Sequence, residues 1–120
     1  AHERKAGGVP IIQHQHVRYN LFHIFRKVEM ARATLHRVTT FNATSGRACL
    51  QASALAKVTV TQTAFEVAND ALQIFGGNGM TREYPMEKRV REARACMIAD
   101  GCNELLAIKG GTGLVNPTLL

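Results

Sequence analysis

Residues 73 to 92 read Gln-Ile-Phe-Gly-Gly-Asn-Gly-Met-Thr-Arg-Glu-Tyr-Pro-Met-Glu-Lys-Arg-Val-Arg-Glu, an apolar run followed by a glycine-rich turn and a charged segment. Gly76, Gly77 and Gly79 indicate a place where a Cβ would obstruct the turn or where the backbone approaches a ligand. Pro85 is typical of the first turn of a helix, because its missing N–H would have no partner there. The stretch therefore predicts the end of one helix, a tight turn and the start of another.

Apolar residues recur at steps of three and four on both sides of this stretch, which is the spacing of one helical face. The pattern predicts helices over about residues 15 to 42, 50 to 75, 85 to 100 and 102 to 109. The pair Gly110-Gly111 is expected to stop the last helix. Four helices joined by short loops predict an all-α fold, an antiparallel four-helix bundle.

Composition excludes several classes of function. Fifteen Lys and Arg against nine Asp and Glu give a formal net charge of +6. The basic residues are scattered among acidic ones and there is no Trp and no stacking motif, which argues against nucleic acid as a partner. Three cysteines without C-x-x-C spacing favour a reducing compartment, the cytoplasm or the mitochondrial matrix. No apolar run approaches the length of a membrane span.

The two ends of the chain bear on its organisation. The sequence has no initiator Met, and residues 1 to 6 are interpreted as the last turns of a helix that begins outside it. We therefore expect a fragment of a longer chain, with one helical domain over residues 1 to 109 and a tail over residues 110 to 120.

Several motifs carry a resemblance to a known family. The pattern Gln-x2-Gly-Gly-x-Gly-Met-x2-Glu-x4-Lys-x3-Glu at residues 73 to 92 resembles the C-terminal signature of acyl-CoA dehydrogenases, flavoenzymes that desaturate acyl-CoA thioesters. Residues 3 to 11 resemble the family's Glu-Arg-Lys-x-Phe-Gly-x-Pro-Ile segment, and His14-Gln15 its His-Gln pair. Gly7 departs from the pattern, because the family has phenylalanine at this position. A flavin contact made by that phenylalanine is absent from this sequence.

The resemblance implies a cofactor, a substrate and partners. Family members bind FAD, act on an acyl-CoA thioester and pass electrons to an electron-transfer flavoprotein or a similar acceptor. Their intact subunit has an N-terminal helical domain, a β domain and a C-terminal bundle of this kind, and it assembles as a homotetramer or homodimer. We therefore expect this chain to self-associate and to act within a larger flavoprotein.

The segment Ile98-Ala99-Asp100-Gly101-Cys102-Asn103-Glu104 is the candidate catalytic centre. The resemblance places Asp100 where most family members have the glutamate that removes the α-proton of the substrate, and a subset reads Ile-Ala-Asp-Gly-x-x-Glu. It implies a substrate contact for Gly101, and flavin contacts for Cys102 and Glu104, where the family has threonine and often glutamine. The alternative is structural: Asp100 caps a helix and Gly101 follows as a C-cap residue.

A second group of residues is implied in cofactor binding. Arg4 and Gln15 match positions that reach the flavin diphosphate, and the planar guanidinium of Arg suits phosphate oxygens. Gln73, Gly76 and Gly77 match a stretch that contacts the adenosine half of the flavin across a subunit interface. Each of these residues also has a plain structural interpretation, as surface side chains and an ordinary turn between helices.

Two further functions remain open from the sequence. Nitroalkane oxidases resemble the same family and also use an aspartate base, so Asp100 does not separate them from dehydrogenases. A non-catalytic helical bundle, retained for oligomer contacts, is favoured by Gly7 and Cys102 at expected flavin contacts. A metal site at His14 and His16 is disfavoured, because residues two apart on a helix face different ways.

Overall fold

The computed structural model describes residues 1–116 and confirms the predicted all-α fold. These residues form four α-helices, and the loop after the second begins with a 3-10 turn, Gly76–Met80. The helices are α1 Gln15–Thr44, α2 Leu50–Phe75, α3 Met86–Ile98 and α4 Asn103–Val115. Periodicity therefore located all four elements, with both ends of α2 at the predicted residues.

Helix α2 is the centre of the fold, because it packs against α1, α3 and α4. Its buried positions are alanines, Ala54, Ala56 and Ala68. Small side chains allow a neighbouring helix to approach closely. The length of α1 and α2 makes the domain elongated, with dimensions of 62 × 24 × 23 Å. Features at the two ends of α2 are therefore held by one continuous helix.

Residues 5 to 10 form a β-hairpin and residues 1 to 4 form no helix, so the prediction that residues 1 to 6 end a helix is wrong. The strands are β1 Lys5–Ala6 and β2 Val9–Pro10, which pair in antiparallel fashion. Gly7 and Gly8 lie between them with φ of 60° and 81°. Two consecutive residues with positive φ are what a two-residue hairpin turn requires, and glycine adopts them without strain. Gly7 is thus part of the turn.

Helix α4 continues through Gly110 and Gly111 to Val115, so the prediction that this pair stops the helix is wrong. A Cβ placed at Gly110 would lie 3.5 Å from the Cβ of Ala54 on α2. Helix packing of this kind overrides the low helix propensity of glycine. The division after residue 109 stays a prediction, although α4 crosses it, and residues 117 to 120 of the predicted tail lie outside the described residues.

Little of the apolar surface is buried within the described residues. The buried hydrophobic side chains there are small: Ala31, Val38, Ala54, Ala56 and Ala68. Large ones such as Phe22, Phe25 and Met30 are about 60% exposed. None of the helices in residues 1–116 is long and apolar enough to cross a membrane. The exposed aromatic side chains agree with the expected association with other protein surfaces, which stays a prediction.

Candidate functional site

The turn between α3 and α4 holds Asp100 and Gly101 in an unusual backbone conformation. Asp100 has a φ of 54° and Gly101 a φ of 94°. Within residues 1–116, Asp100 is the one residue other than glycine with a positive φ. This left-handed region costs an L-amino acid about 1–2 kcal/mol, and Asp and Asn are the residues most often found there. Conformations of this kind are concentrated at functional sites.

Asp100 is neither the C-cap residue of α3 nor the N-cap residue of α4. Helix α3 ends at Ile98 with Ala99 as its C-cap residue, slightly before the predicted end. Helix α4 has Cys102 as its N-cap residue, whose side chain forms no capping hydrogen bond. Asp100 directly follows the C-cap residue of α3 in a left-handed conformation, so a structural role at the helix end stays the alternative to a catalytic one. Its side chain is exposed at the turn.

A lysine on α2 donates hydrogen bonds to this turn. Lys57 Nζ donates hydrogen bonds to the carbonyl of Gly101 at 2.6 Å and to Asn103 Oδ1 at 2.9 Å. It also lies 3.4 Å from the carbonyl of Met97 near the end of α3. Thr61 Oγ1, one helical turn after Lys57, lies 3.0 Å from the same Asn103 oxygen. Lys57 therefore connects the end of α3, the turn and the start of α4.

Asn103 completes this cluster and is the one buried polar residue among those described, with 6% of its surface exposed. Its Oδ1 accepts from Lys57, which fixes the orientation of the amide, since an ammonium has only donors. Sequence reasoning did not find Lys57, Thr61 or Asn103 as a group, because 46 positions separate Lys57 from Asn103. The available signal was a Lys and a Thr four residues apart on a helix otherwise rich in small residues.

The residues expected at the flavin diphosphate and adenosine lie mainly at the opposite end of α2. Arg4 lines a small cavity of about 140 Å³ together with Phe75, Asn78 and Tyr84. The structure thus brings Arg4 next to the glycine turn. A Cβ placed at Gly76 or at Gly77 would meet no atom within 4 Å, so the backbone there is open to a ligand.

Gln73 and Gln15 occupy exposed positions near this end. Gln73 lines a cavity of about 390 Å³ together with Tyr19, Lys27 and Asp70. Gln15 is the first residue of α1 and is exposed. Cys102 and Glu104 lie instead at the Asp100 turn, Cys102 as the N-cap residue and Glu104 in the first turn of α4. A carboxylate there complements the positive end of the helix dipole.

Lys27 in the Gln73 cavity is held between two carboxylates. Its ammonium lies 2.8 Å from Asp70 Oδ2 and 3.2 Å from Glu66 Oε2. The hydrogen bond to Asp70 is the main cause that raises the pKa of Lys27, and the bond to Glu66 adds to it against partial burial. Lys27 is therefore a fixed positive charge that joins α1 to α2.

The two histidines at the start of α1 each have their own partner. His14 Nε2 lies 3.0 Å from the carbonyl of Ala6, and His16 Nε2 lies 3.1 Å from Asn20 Nδ2. Among residues 1–116, no group of three His, Cys, Asp or Glu side chains is arranged to hold a metal ion. These contacts give both rings a structural role in the hairpin and the first turns of α1.

Comparison with known proteins agrees with the resemblance. A sequence model of the family described as "Acyl-CoA dehydrogenase, C-terminal domain" matches residues 1–113. The chain is 29% identical over 103 residues to cyclohexane-1-carbonyl-CoA dehydrogenase of Geobacter metallireducens. The matched region covers 86% of this chain and 27% of that protein. The chain is also 37% identical over 108 residues to 3-sulfinopropanoyl-CoA desulfinase of Cupriavidus necator, and this match covers 88% of this chain and 26% of that protein.

The fold gives the same result. The structure of butyryl-CoA dehydrogenase from Megasphaera elsdenii matches this one with a TM-score of 0.89 at 28% identity, over 96% of this chain and 30% of that chain. The chain spans about a quarter of the length of the curated relatives that it matches. By sequence and by fold, the chain belongs to the acyl-CoA dehydrogenase family and corresponds to its C-terminal domain.

Proposed function

We propose that this chain is the C-terminal domain of an FAD-dependent acyl-CoA dehydrogenase in which Asp100 is the catalytic base. The observation that carries the proposal is the conformation of Asp100: it has a positive φ and an exposed side chain, and it is neither the C-cap residue of α3 nor the N-cap residue of α4. Among the described residues its carboxylate is engaged in no ion pair or hydrogen bond. It is therefore available to a substrate that reaches the turn.

The proposed reaction is the α,β-desaturation of an acyl-CoA thioester. A carboxylate oxygen of Asp100 takes the α-proton, the electrons of that C–H bond form the new double bond, and a hydride leaves the β-carbon. A base that is already in place avoids the cost of ordering a solvent molecule for this role. Aspartate is one methylene shorter than the glutamate of most family members, so the backbone of the turn has to bring it closer to the substrate.

The residues near the two turns fit a bound flavin. FAD, when bound, supplies the acceptor for the β-hydride. The guanidinium of Arg4 can hold phosphate oxygens, and the open backbone at Gly76 and Gly77 allows close approach of a ligand. Gln73 offers an amide from an adjacent exposed position. Cys102 and Glu104 are weaker candidates, because a thiol is a poor donor and Glu104 brings a charge.

The spacing of the two clusters supports a site that is shared between subunits. Phe75 follows Lys57 by 18 residues of continuous helix, a distance of about 27 Å at 1.5 Å per residue. Asp100 lies by Lys57, and the glycine turn follows Phe75. We therefore propose that Asp100 acts on the flavin of its own subunit, while Gln73, Gly76 and Gly77 contact the adenosine of a flavin in a neighbouring subunit. A homotetramer or homodimer supplies that arrangement, and an electron-transfer flavoprotein or similar acceptor removes the electrons.

The test is anaerobic reduction of the flavin in the full-length protein with a panel of substrates. The panel contains saturated acyl-CoAs of several lengths and branching patterns, 3-sulfinopropanoyl-CoA because a relative is named for its desulfination, and nitroalkanes. We expect bleaching of the flavin absorbance with a saturated acyl-CoA. Reduction by nitroalkanes alone would support the oxidase alternative, and a full-length protein without flavin would support a non-catalytic bundle.

A further inference from the structure

Lys57 is bound in an unusual way for a partly buried lysine. Its three contacts are two backbone carbonyls, those of Met97 and Gly101, and the amide oxygen of Asn103. An ammonium has three donors and no acceptor, so these contacts match its capacity. No carboxylate among the described residues pairs with it. Its hydrogen bonds therefore serve to hold backbone in place.

We propose that Lys57 is a positioning residue that fixes the Asp100–Gly101 turn in its reactive geometry. The proposal rests on the proposed role of Asp100 as the base. The 2.6 Å bond joins Lys57 to the carbonyl of the residue directly after Asp100. A charge-assisted bond of this length is roughly twice as strong as a bond between neutral groups. The peptide next to the base is thus tied to α2, the central helix of the domain.

The ammonium of Lys57 also lies at the C-terminal end of α3, and this location strengthens its hold on the turn. The last carbonyls of a helix lack internal partners, and the helix dipole places partial negative charge there, which favours a cation. Lys57 lies 3.4 Å from one of these carbonyls, that of Met97. Its bond to Asn103, the first residue of α4, fixes the other side of the turn. One ammonium therefore determines the path of the chain before, at and after Asp100.

The left-handed conformation of Asp100 explains why a restraint on the turn is needed. Such a conformation is unfavourable for an aspartate and persists only where the surroundings enforce it. Without the ammonium, the carbonyl of Gly101 can turn toward solvent and Asp100 can relax. A displacement of about 1 Å in a reacting group can slow a reaction by about 100-fold. Lys57 is therefore expected to affect the rate of proton removal more than the binding of substrate.

The first experiment uses Lys57→Met in the full-length flavoprotein, which removes the ammonium and keeps most of the aliphatic stem. Lys109→Met is the control, since it makes the same chemical change at an exposed position of α4. Bound flavin, affinity for acyl-CoA and the limiting rate of anaerobic flavin reduction are measured for each. We expect Lys57→Met to bind flavin and acyl-CoA within about threefold of wild type and to reduce its flavin about 100-fold more slowly. Lys109→Met should match wild type.

A double-mutant cycle separates positioning of the base from a general structural effect. If Lys57 acts through Asp100, Lys57→Met should slow an Asp100→Asn variant by less than about threefold, because the group that it positions is already lost. A full 100-fold effect in that background would overturn the inference. Normal reduction by Asp100→Asn would instead remove the proposed base, whereas slow Asp100→Asn with normal Lys57→Met would remove only the role of Lys57.

Lys57→Arg keeps the test decisive if Lys57→Met fails to accumulate as folded protein. The guanidinium retains the charge, but its planar array of donors cannot reach the same three acceptors as a compact ammonium. We expect this variant to fold and bind flavin, and to reduce it at least about 10-fold more slowly than wild type. Wild-type reduction by Lys57→Arg would mean that the charge alone is needed, and that the turn is not positioned by these bonds.

Discussion

The ammonium of Lys27 on α1 lies 2.8 Å from the carboxylate of Asp70 on α2, 43 residues further along the chain. Glu66, one helical turn before Asp70, lies 3.2 Å from the same ammonium. The two long helices are thus joined by one cation held between two carboxylates. Because all three side chains remain partly exposed, solvent screening limits the strength of the interaction.

Replacement of Lys27 should destabilise the domain by a modest amount. Lys27→Met leaves Asp70 and Glu66 facing each other without a countercharge, and we expect a loss of about 1 kcal/mol in the free energy of unfolding. Urea denaturation of the 120-residue chain measures it. Lys109→Met should be within about 0.5 kcal/mol of wild type. An equal loss in both variants would show that the Lys27 ion pairs contribute nothing specific.

The same ion pairs predict a dependence of stability on alkaline pH. The hydrogen bond to Asp70 raises the pKa of Lys27 in the folded state. The folded chain therefore binds the proton of Lys27 more tightly than the unfolded chain does. The stability that the ion pairs contribute is fully present below the pKa that Lys27 has in the unfolded chain. It is lost as the pH rises through the higher folded pKa, above about pH 10. Wild type should lose more stability than Lys27→Met across that range, as followed by urea titrations at each pH.

Asp100→Asn is the direct test of the base. Asparagine is nearly the same size and is also tolerated in the left-handed conformation, but it cannot accept the α-proton. In the full-length protein we expect normal binding of FAD and acyl-CoA, with flavin reduction slower by about 10²- to 10⁴-fold, the usual contribution of a general base. Stopped-flow absorbance of the flavin measures the rate. A rate within about threefold of wild type would rule out Asp100 as the base.

Two glycines of the same turn should behave differently when replaced by alanine. A Cβ at Gly79 would lie 2.9 Å from Phe75 Cβ and 3.0 Å from the carbonyl of Leu72, so Gly79→Ala overpacks the turn. We expect it to destabilise the chain by about 1–3 kcal/mol. At Gly77 a Cβ meets nothing within 4 Å, and Gly77→Ala should cost less than about 0.5 kcal/mol.

The comparison of these two variants also tests the proposed adenosine contact. In the full-length protein, Gly77→Ala should weaken FAD binding, because its methyl group occupies space that is open to a ligand. Thermal unfolding and flavin release on dilution distinguish the two effects. Unchanged FAD affinity in Gly77→Ala would remove Gly77 from the proposed flavin contacts, while leaving the base assignment intact.

Local pattern was sufficient to locate the four α-helices, and apolar periodicity with the glycine turn marks both ends of α2, at Leu50 and Phe75. It was insufficient where distant residues decide the structure. Gly110 remains helical because it packs on Ala54, and the Lys57–Asn103 bond joins residues that no local pattern connects. Gly7 stood out only as a departure from a family motif, whereas with Gly8 it forms a hairpin turn. The proposed role of Asp100 came from the resemblance, and its conformation from the structure.

Among the described residues, the buried hydrophobic side chains are four alanines and one valine, and this small core has a consequence for the cell. If the proposed association with other surfaces takes place, a domain that buries so few large side chains gains stability from it, and its stability then depends on concentration by mass action. Newly made chains that are not yet associated are expected to display Phe22, Phe25 and Met30 to the solvent, as the single chain does. We expect such chains to depend on chaperones during synthesis and to be degraded when they are made in excess.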